Sequence, residues 1–140
     1  MPGIIVFLLL AAAPPWSADL QKARDAQDRP RLERLAAQLS ADADKQTGDA
    51  QTQYGAALAQ STLAEVAEEV RDKVQARTAA DAGMKYAERA ITLNPNSAEY
   101  HRLLGTLCGQ AAGAVGGFGA LKYGRCALDE VNKEIGRAHV

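Results

Sequence analysis

Between Ala87 and Gly105 the sequence AERAITLNPNSAEYHRLLG stops one helix and opens another with almost no chain between them. Met84, Ala87 and Ile91 line one side of the first helix. Asn94-Pro95 ends it, because the residue before a proline is pushed out of the α region. Asn96, with Glu99 three residues on, resembles a capping box that restarts the helix. Leu103, Leu104, Leu107, Cys108 and Ala111 then form one apolar face. Two apolar-striped helices joined by so short a corner fold back on each other, which commits this stretch to a helical hairpin.

The rest of the chain follows the same scheme. Only 5% of the residues are aromatic while 47% are hydrophobic, with alanine abundant, so helix propensity sums favourably and strand formers are thin. After a short polar helical segment ending near Gln27, Pro30 suits the first turn of a helix whose stripe is Leu32, Leu35, Ala36 and Leu39. Gly48 breaks the chain and Asp49 caps the next start. From Ala50 a long helix carries Tyr54, Leu58, Val66, Val70 and Val74, with a turn expected between Gln75 and Asp81. The glycines from Gly109 through Gly119 predict a loop, and Leu121, Leu128 and Val131 put a last helix over Leu121 to Lys133. The expected fold class is all-α, built of antiparallel helix-turn-helix pairs.

The string ERAITLNPNSAEYHRLLG resembles the junction of two tetratricopeptide repeats. Ala90, Ile91 and Leu93 match the closing helix, Pro95 the terminator, and Leu104-Gly105 the pair that lets helices approach closely. Ala127 matches a small residue at a helix contact. Leu32 to Ala59 aligns with the same junction, with Ala43 where the terminating proline would stand. The spacing from Ala50 to Ala98 exceeds the roughly 34 residues of the standard repeat, so helices or turns are longer than usual. The long period is also similar, at the level of fold, to the regulators of microtubule dynamics. The resemblance implies a stacked α-solenoid with a peptide-receiving groove lined by the first helix of each pair.

The two ends stand apart. Ile4 to Ala13 (IIVFLLLAAA) is too short to span a bilayer and has the length of a signal-peptide core, so residues 1–18 are expected to be an export signal cut after Ala18, or after Ala12 as a fallback. An apolar N-terminal helix docked on the domain, or a membrane tether, is the alternative. The tail EIGRAHV, residues 134–140, is what GAG ATC GGA AGA GCA CAC GTC encodes, a string resembling a sequencing adapter. It is expected to be non-native, leaving 19–133 as the repeat domain and Leu128 and Val131 awaiting a further repeat.

Sixteen basic against seventeen acidic side chains give a net charge of -1, which removes the footprint of a nucleic-acid binder and of an anionic membrane surface. Nothing supplies a nucleophile, base and orienter together, so no enzyme is read. The glycines near Phe118 lack the Gly-Lys-Ser/Thr of a phosphate loop. No cofactor and no metal are expected, since His101, a half-exposed helix residue on this reading, has no second ligand at zinc spacing. Cys108 and Cys126 sit on neighbouring helices, but Cys126 lies across its helix from Leu121, Leu128 and Val131, which favours buried reduced thiols over a disulfide. Glu65, Glu68, Glu69 and Asp72 alternate with Arg71 and Lys73 as a solvated face. Glu99, Arg102, Thr106 and Gln110 form a polar strip beside an apolar stripe, and by the resemblance Arg102, Thr106 and Gln110 are the partner contacts. The expected function is a non-enzymatic adaptor for a protein or peptide in the bacterial envelope. A small-molecule module serving a periplasmic transporter, or an intracellular or membrane-tethered repeat protein, are the competing readings.

Overall fold

The structure is a computed structural model that describes residues 13–138, the side chains of 134, 135, 137 and 138 excepted. The fold is all-α. The helices are α1 (Pro15–Asp25), α2 (Arg29–Lys45), α3 (Ala50–Glu69), α4 (Lys73–Leu93), α5 (Ala98–Val115) and α6 (Ala120–Ala138), with a single 3-10 turn, Gly117–Gly119, leading into α6. The apolar run, except Ala13, and the end of the tail with His139 lie outside the described residues.

Two kinds of corner alternate along the chain. Between α1 and α2, the Gln27 amide donates to the Arg24 carbonyl at 2.9 Å and the Asp28 amide to the Ala23 carbonyl at 2.8 Å. Between α3 and α4, Arg71 and Asp72 bond to Glu68 and Ala67 at the same two distances. Gln27 and Arg71 are both left-handed, at φ 54° and 61°. Each corner is a Schellman turn followed by an aspartate whose carboxylate caps the next helix, accepting from Arg31 N and Gln75 N. The second kind joins α2 to α3 and α4 to α5, where Asp49 and Ser97 are the caps.

Several boundaries differ from those the sequence predicts. The long helix breaks at Val70–Asp72, ahead of the expected Gln75 to Asp81, because the Schellman turn and the Asp72 cap need neither Gly nor Pro. The α5 cap is Ser97, which accepts from Tyr100 N at 3.3 Å, and Asn96 stays outside the helix. The expected Gly/Ala loop shrinks to Gly116–Gly119, since α5 runs through Gly109 and Gly113 to Val115. Positive φ at Gly116 and Gly117 makes that corner. Ala43 lies inside α2, fully buried, and so does not mark its end.

Each helix packs on the next in sequence, and α3 also touches both α1 and α5, so that these three make one layer. α3 lies at the centre and buries Gly55, Ala56, Ala57, Ala59, Ser61, Thr62, Ala64 and Ala67. Small side chains let helices approach closely, and the larger core residues, Leu32, Val66 and Leu107, fill what remains. At Gly83 an added Cβ would stand 2.5 Å from a Leu107 methyl, so α4 meets α5 there without a side chain of its own.

α6 docks by an unexpected face. Leu121, Leu128 and Val131 are exposed, at 69%, 66% and 49%, while Cys126 and Ala127 turn inward. Cys108 and Cys126 form a disulfide with a Cα separation of 5.9 Å, contrary to the expectation of reduced thiols. Cys126 does lie across the helix from the leucine stripe. That stripe faces outward, so the far side is the one that meets α5. His101 is likewise corrected from half-exposed to buried, at 4%. Its Nε2 faces the Pro95 carbonyl at 2.8 Å, and its Nδ1 lies 2.5 Å from Glu130 Oε2. Lys133 Nζ donates to the other Glu130 oxygen at 2.9 Å. At Gly105 an added Cβ would come within 3.3 Å of Glu130 Cβ, so the missing side chain there admits α6.

Candidate groove between α3 and α5

α3 and α5 lie side by side in the inner layer, and the surface between them is a run of connected hollows. On α3 the lining residues are Gln51, Tyr54, Leu58, Ser61, Thr62, Glu65 and Glu68. On α5 they include Glu99, Arg102, Thr106, Gly109, Gln110 and Gly113, beside Tyr100, Leu103 and Ala114. Both sets recur at three- and four-residue intervals, which is one face of each helix. Neighbouring hollows share residues: Tyr54, Leu58 and Glu99 belong to the first and second, Thr106 to the second and third. The volumes are about 370, 260 and 500 Å³.

The two ends and the middle of this groove differ chemically. At the α1 end Trp16, Tyr54 and Tyr100 line the wall with Glu99. The Tyr54 ring centroid is 6.4 Å from Trp16 and 5.2 Å from Tyr100, and its hydroxyl donates to Glu99 Oε1 at 2.5 Å. Burial, and then the Glu99 carboxylate, push the Tyr54 phenol well above its usual range. In the middle Arg24 pairs with Glu65 at 2.7 Å, beside Arg102. At the far end Glu68, Arg71 and Lys73 surround a floor of Ala76, Gly109, Gly113 and Ala114. Burial, and then the nearby Glu65, raise the Glu68 carboxyl above its ordinary value.

Of the three residues singled out in the sequence, Arg102 and Thr106 are exposed in the groove wall. Thr106 Oγ1 bonds back to the Arg102 carbonyl at 3.1 Å. Gln110 has a structural task. Its amide donates to the Ser61 carbonyl and accepts from the Ser61 hydroxyl, both at 3.0 Å, which clamps α5 to α3. The acidic run splits: Asp72 caps α4 and binds Arg29, whereas Glu65 and Glu68 face the groove.

The aromatic end was not read from the sequence. Trp16 and Tyr54 are far apart in the chain, and Trp16 falls within the expected export signal. In the structure Pro15 begins α1, and the Trp16 indole lies over Gly55, where an added Cβ would stand 2.8 Å from the ring. Cleavage after Ala18 would remove this wall of the groove, while cleavage after Ala12 would keep it. One local signal was available: a glycine beside an aromatic in a helix otherwise rich in alanine. Among the described residues no helix is long and apolar enough to cross a membrane, and no group of three potential ligands is placed to hold a metal ion. Comparison with family models, with curated proteins and with solved structures finds no match to this chain.

Proposed function

We propose that this chain is a tetratricopeptide-like helical-repeat adaptor whose α3–α5 groove receives an extended segment of another protein. The repeat reading rests on the two alternating corner geometries and on the layer formed by α1, α3 and α5. The binding reading rests on one observation, the row of adjoining hollows along that layer, which share Tyr54, Leu58, Glu99 and Thr106. From Glu99 to Gly113 it runs about 21 Å at a rise of about 1.5 Å per residue. An extended segment of about six residues covers that length. The groove is open along its side, which suits a chain better than an enclosed small molecule. Preformed walls fixed by the Gln110–Ser61 clamp reduce the ordering cost of binding. The Cys108–Cys126 bond supports placement in an oxidising compartment, as export implies.

The test is selection of peptides from a random library on the immobilised full chain, followed by amide shift mapping of a selected peptide. Shifts are expected at Leu58, Arg102, Thr106 and Gly109, and Thr106→Arg is expected to abolish them. Failure to enrich any peptide, or shifts confined to the exposed sides of α2 and α4, overturns the reading.

A further inference from the structure

We propose that the α1 end of the groove is a cation-binding subsite that takes the lysine or arginine side chain of the bound segment. This deepens the groove reading and rests on it, and it requires that an exported chain be cut after Ala12, which keeps Trp16, and not after Ala18. Trp16, Tyr54 and Tyr100 are each half-buried, so part of every ring is sheltered and part faces the hollow. A cation is drawn to the face of such rings, most strongly to Trp, and partial burial strengthens the attraction. Glu99 supplies a formal negative charge at the same wall, and the lining of this hollow, among the described residues, holds no lysine or arginine. Asp49 lies near enough for its charge to act on Tyr100, while the positive Arg102 of the adjoining hollow acts on Tyr54 in the opposite sense. Aromatic faces with a carboxylate beside them form a receptor for a positively charged side chain.

The subsite is built into the fold. Gly55 leaves the space that Trp16 fills, and Tyr54 stacks on Tyr100 with an interplanar angle of 27°. Glu99 is held by the Tyr54 hydroxyl, which leaves its second oxygen for an ammonium or guanidinium donor. A side chain is favoured over a free amine or a lipid headgroup because the hollow is not isolated. Through Tyr54, Leu58 and Glu99 it continues into the middle of the groove, where the backbone that carries the side chain would lie. At the opposite end Arg71 and Lys73 suit an acidic residue, so the groove has a direction.

Trp16 is the single tryptophan of the chain, so its emission reads this subsite directly. The full chain is titrated with the capped peptide Gly-Gly-Lys-Gly-Gly, with its norleucine counterpart, which has no ammonium group, and with choline. Saturable change with the lysine peptide is expected, with the norleucine peptide bound about ten-fold more weakly. Glu99→Gln is expected to weaken the lysine peptide about five-fold and leave the norleucine peptide unchanged. Equal binding of the two peptides overturns the proposal, as does tighter binding of choline, which would make the site a headgroup receptor. If the lysine peptide gives no saturable signal while a library-selected peptide still shifts Thr106 and Gly109, the cation subsite falls and the groove stands. If neither binds, both fall.

Discussion

α1 to α5 and α6 are held by different physics. The first five helices interlock through small residues, with α3 surrounded by alanine and glycine and with Leu32, Val66 and Leu107 sealed inside. α6 joins them through a covalent bond and a buried histidine–glutamate contact, with Lys133 holding Glu130 from within α6, while its leucines face outward. The difference shows that an apolar stripe does not by itself identify the packed side of a helix. On α5 the stripe is the core face. On α6 the packed side carries Cys126, Ala127 and Glu130, and the stripe is left over.

Truncating one leucine in each region tests this contrast most sharply. Leu107→Ala removes a fully buried side chain wedged beside Gly83, and is expected to cost about 2–5 kcal/mol in urea denaturation. A cost below about 1 kcal/mol would mean that α5 is not fixed in the core as described.

Next in size is the covalent anchor. Converting both Cys108 and Cys126 to serine opens a loop spanning 18 residues, which by chain entropy costs about 3 kcal/mol. Amide exchange is expected to rise in α6 and the end of α5 while α3 keeps its protection. Equal loss of protection throughout would show that all six helices unfold as one unit.

Third comes the polar anchor. Burial opposes ionisation of Glu130, but its bonds to Lys133 and His101 outweigh that, so its carboxyl sits below the ordinary glutamate value. A depressed folded value gives stability that is present above the unfolded value, near 4.5, and is lost as pH falls through the folded one. Glu130→Gln is expected to cost about 2 kcal/mol at neutral pH, from weakened charge-assisted bonds. It is also expected to flatten the acid limb of the denaturation midpoint against pH. An unchanged acid limb would assign acid sensitivity elsewhere, with Asp44 and Asp72 the other carboxyls held low, by Arg89 and by the Gln75 amide with Arg29.

How much of this could be read in the sequence follows from how local each signal is. Asp49, the Asn94-Pro95 stop and the stripe of α5 are short-range features, and each sets its element where expected. The α3–α4 corner was misplaced because its left-handed residue is an arginine, and nothing in the types Val70-Arg71-Asp72 announces a turn. Partners distant in sequence were invisible. Gln53 in α3 reaches the Ala43 and Gln46 carbonyls, and His101 in α5 reaches Pro95, so both tie a helix start to the end of the helix before it. In the groove, helical phase put Arg102 and Thr106 on one polar strip, and the family resemblance alone made them contacts. The clamp of Gln110 on Ser61 and the seat of Trp16 on Gly55 depend on which helices become neighbours.

The smallest expected effect is the most informative about α6. Leu128 is 66% exposed, so Leu128→Ser removes little buried area and is expected to change stability by no more than about 0.5 kcal/mol. The absolute size matters less than its contrast with Leu107→Ala under the same conditions. If Leu128→Ser costs as much as a core exchange, the outward stripe of Leu121, Leu128 and Val131 is covered in solution, and the leucines join the anchor. If it is neutral, α6 is held by the disulfide and the Glu130 contacts. Reduction of the Cys108–Cys126 bond in that variant then loosens α6 no more than it does in the parent chain, because an exposed stripe gives the reduced helix nothing to fall back on.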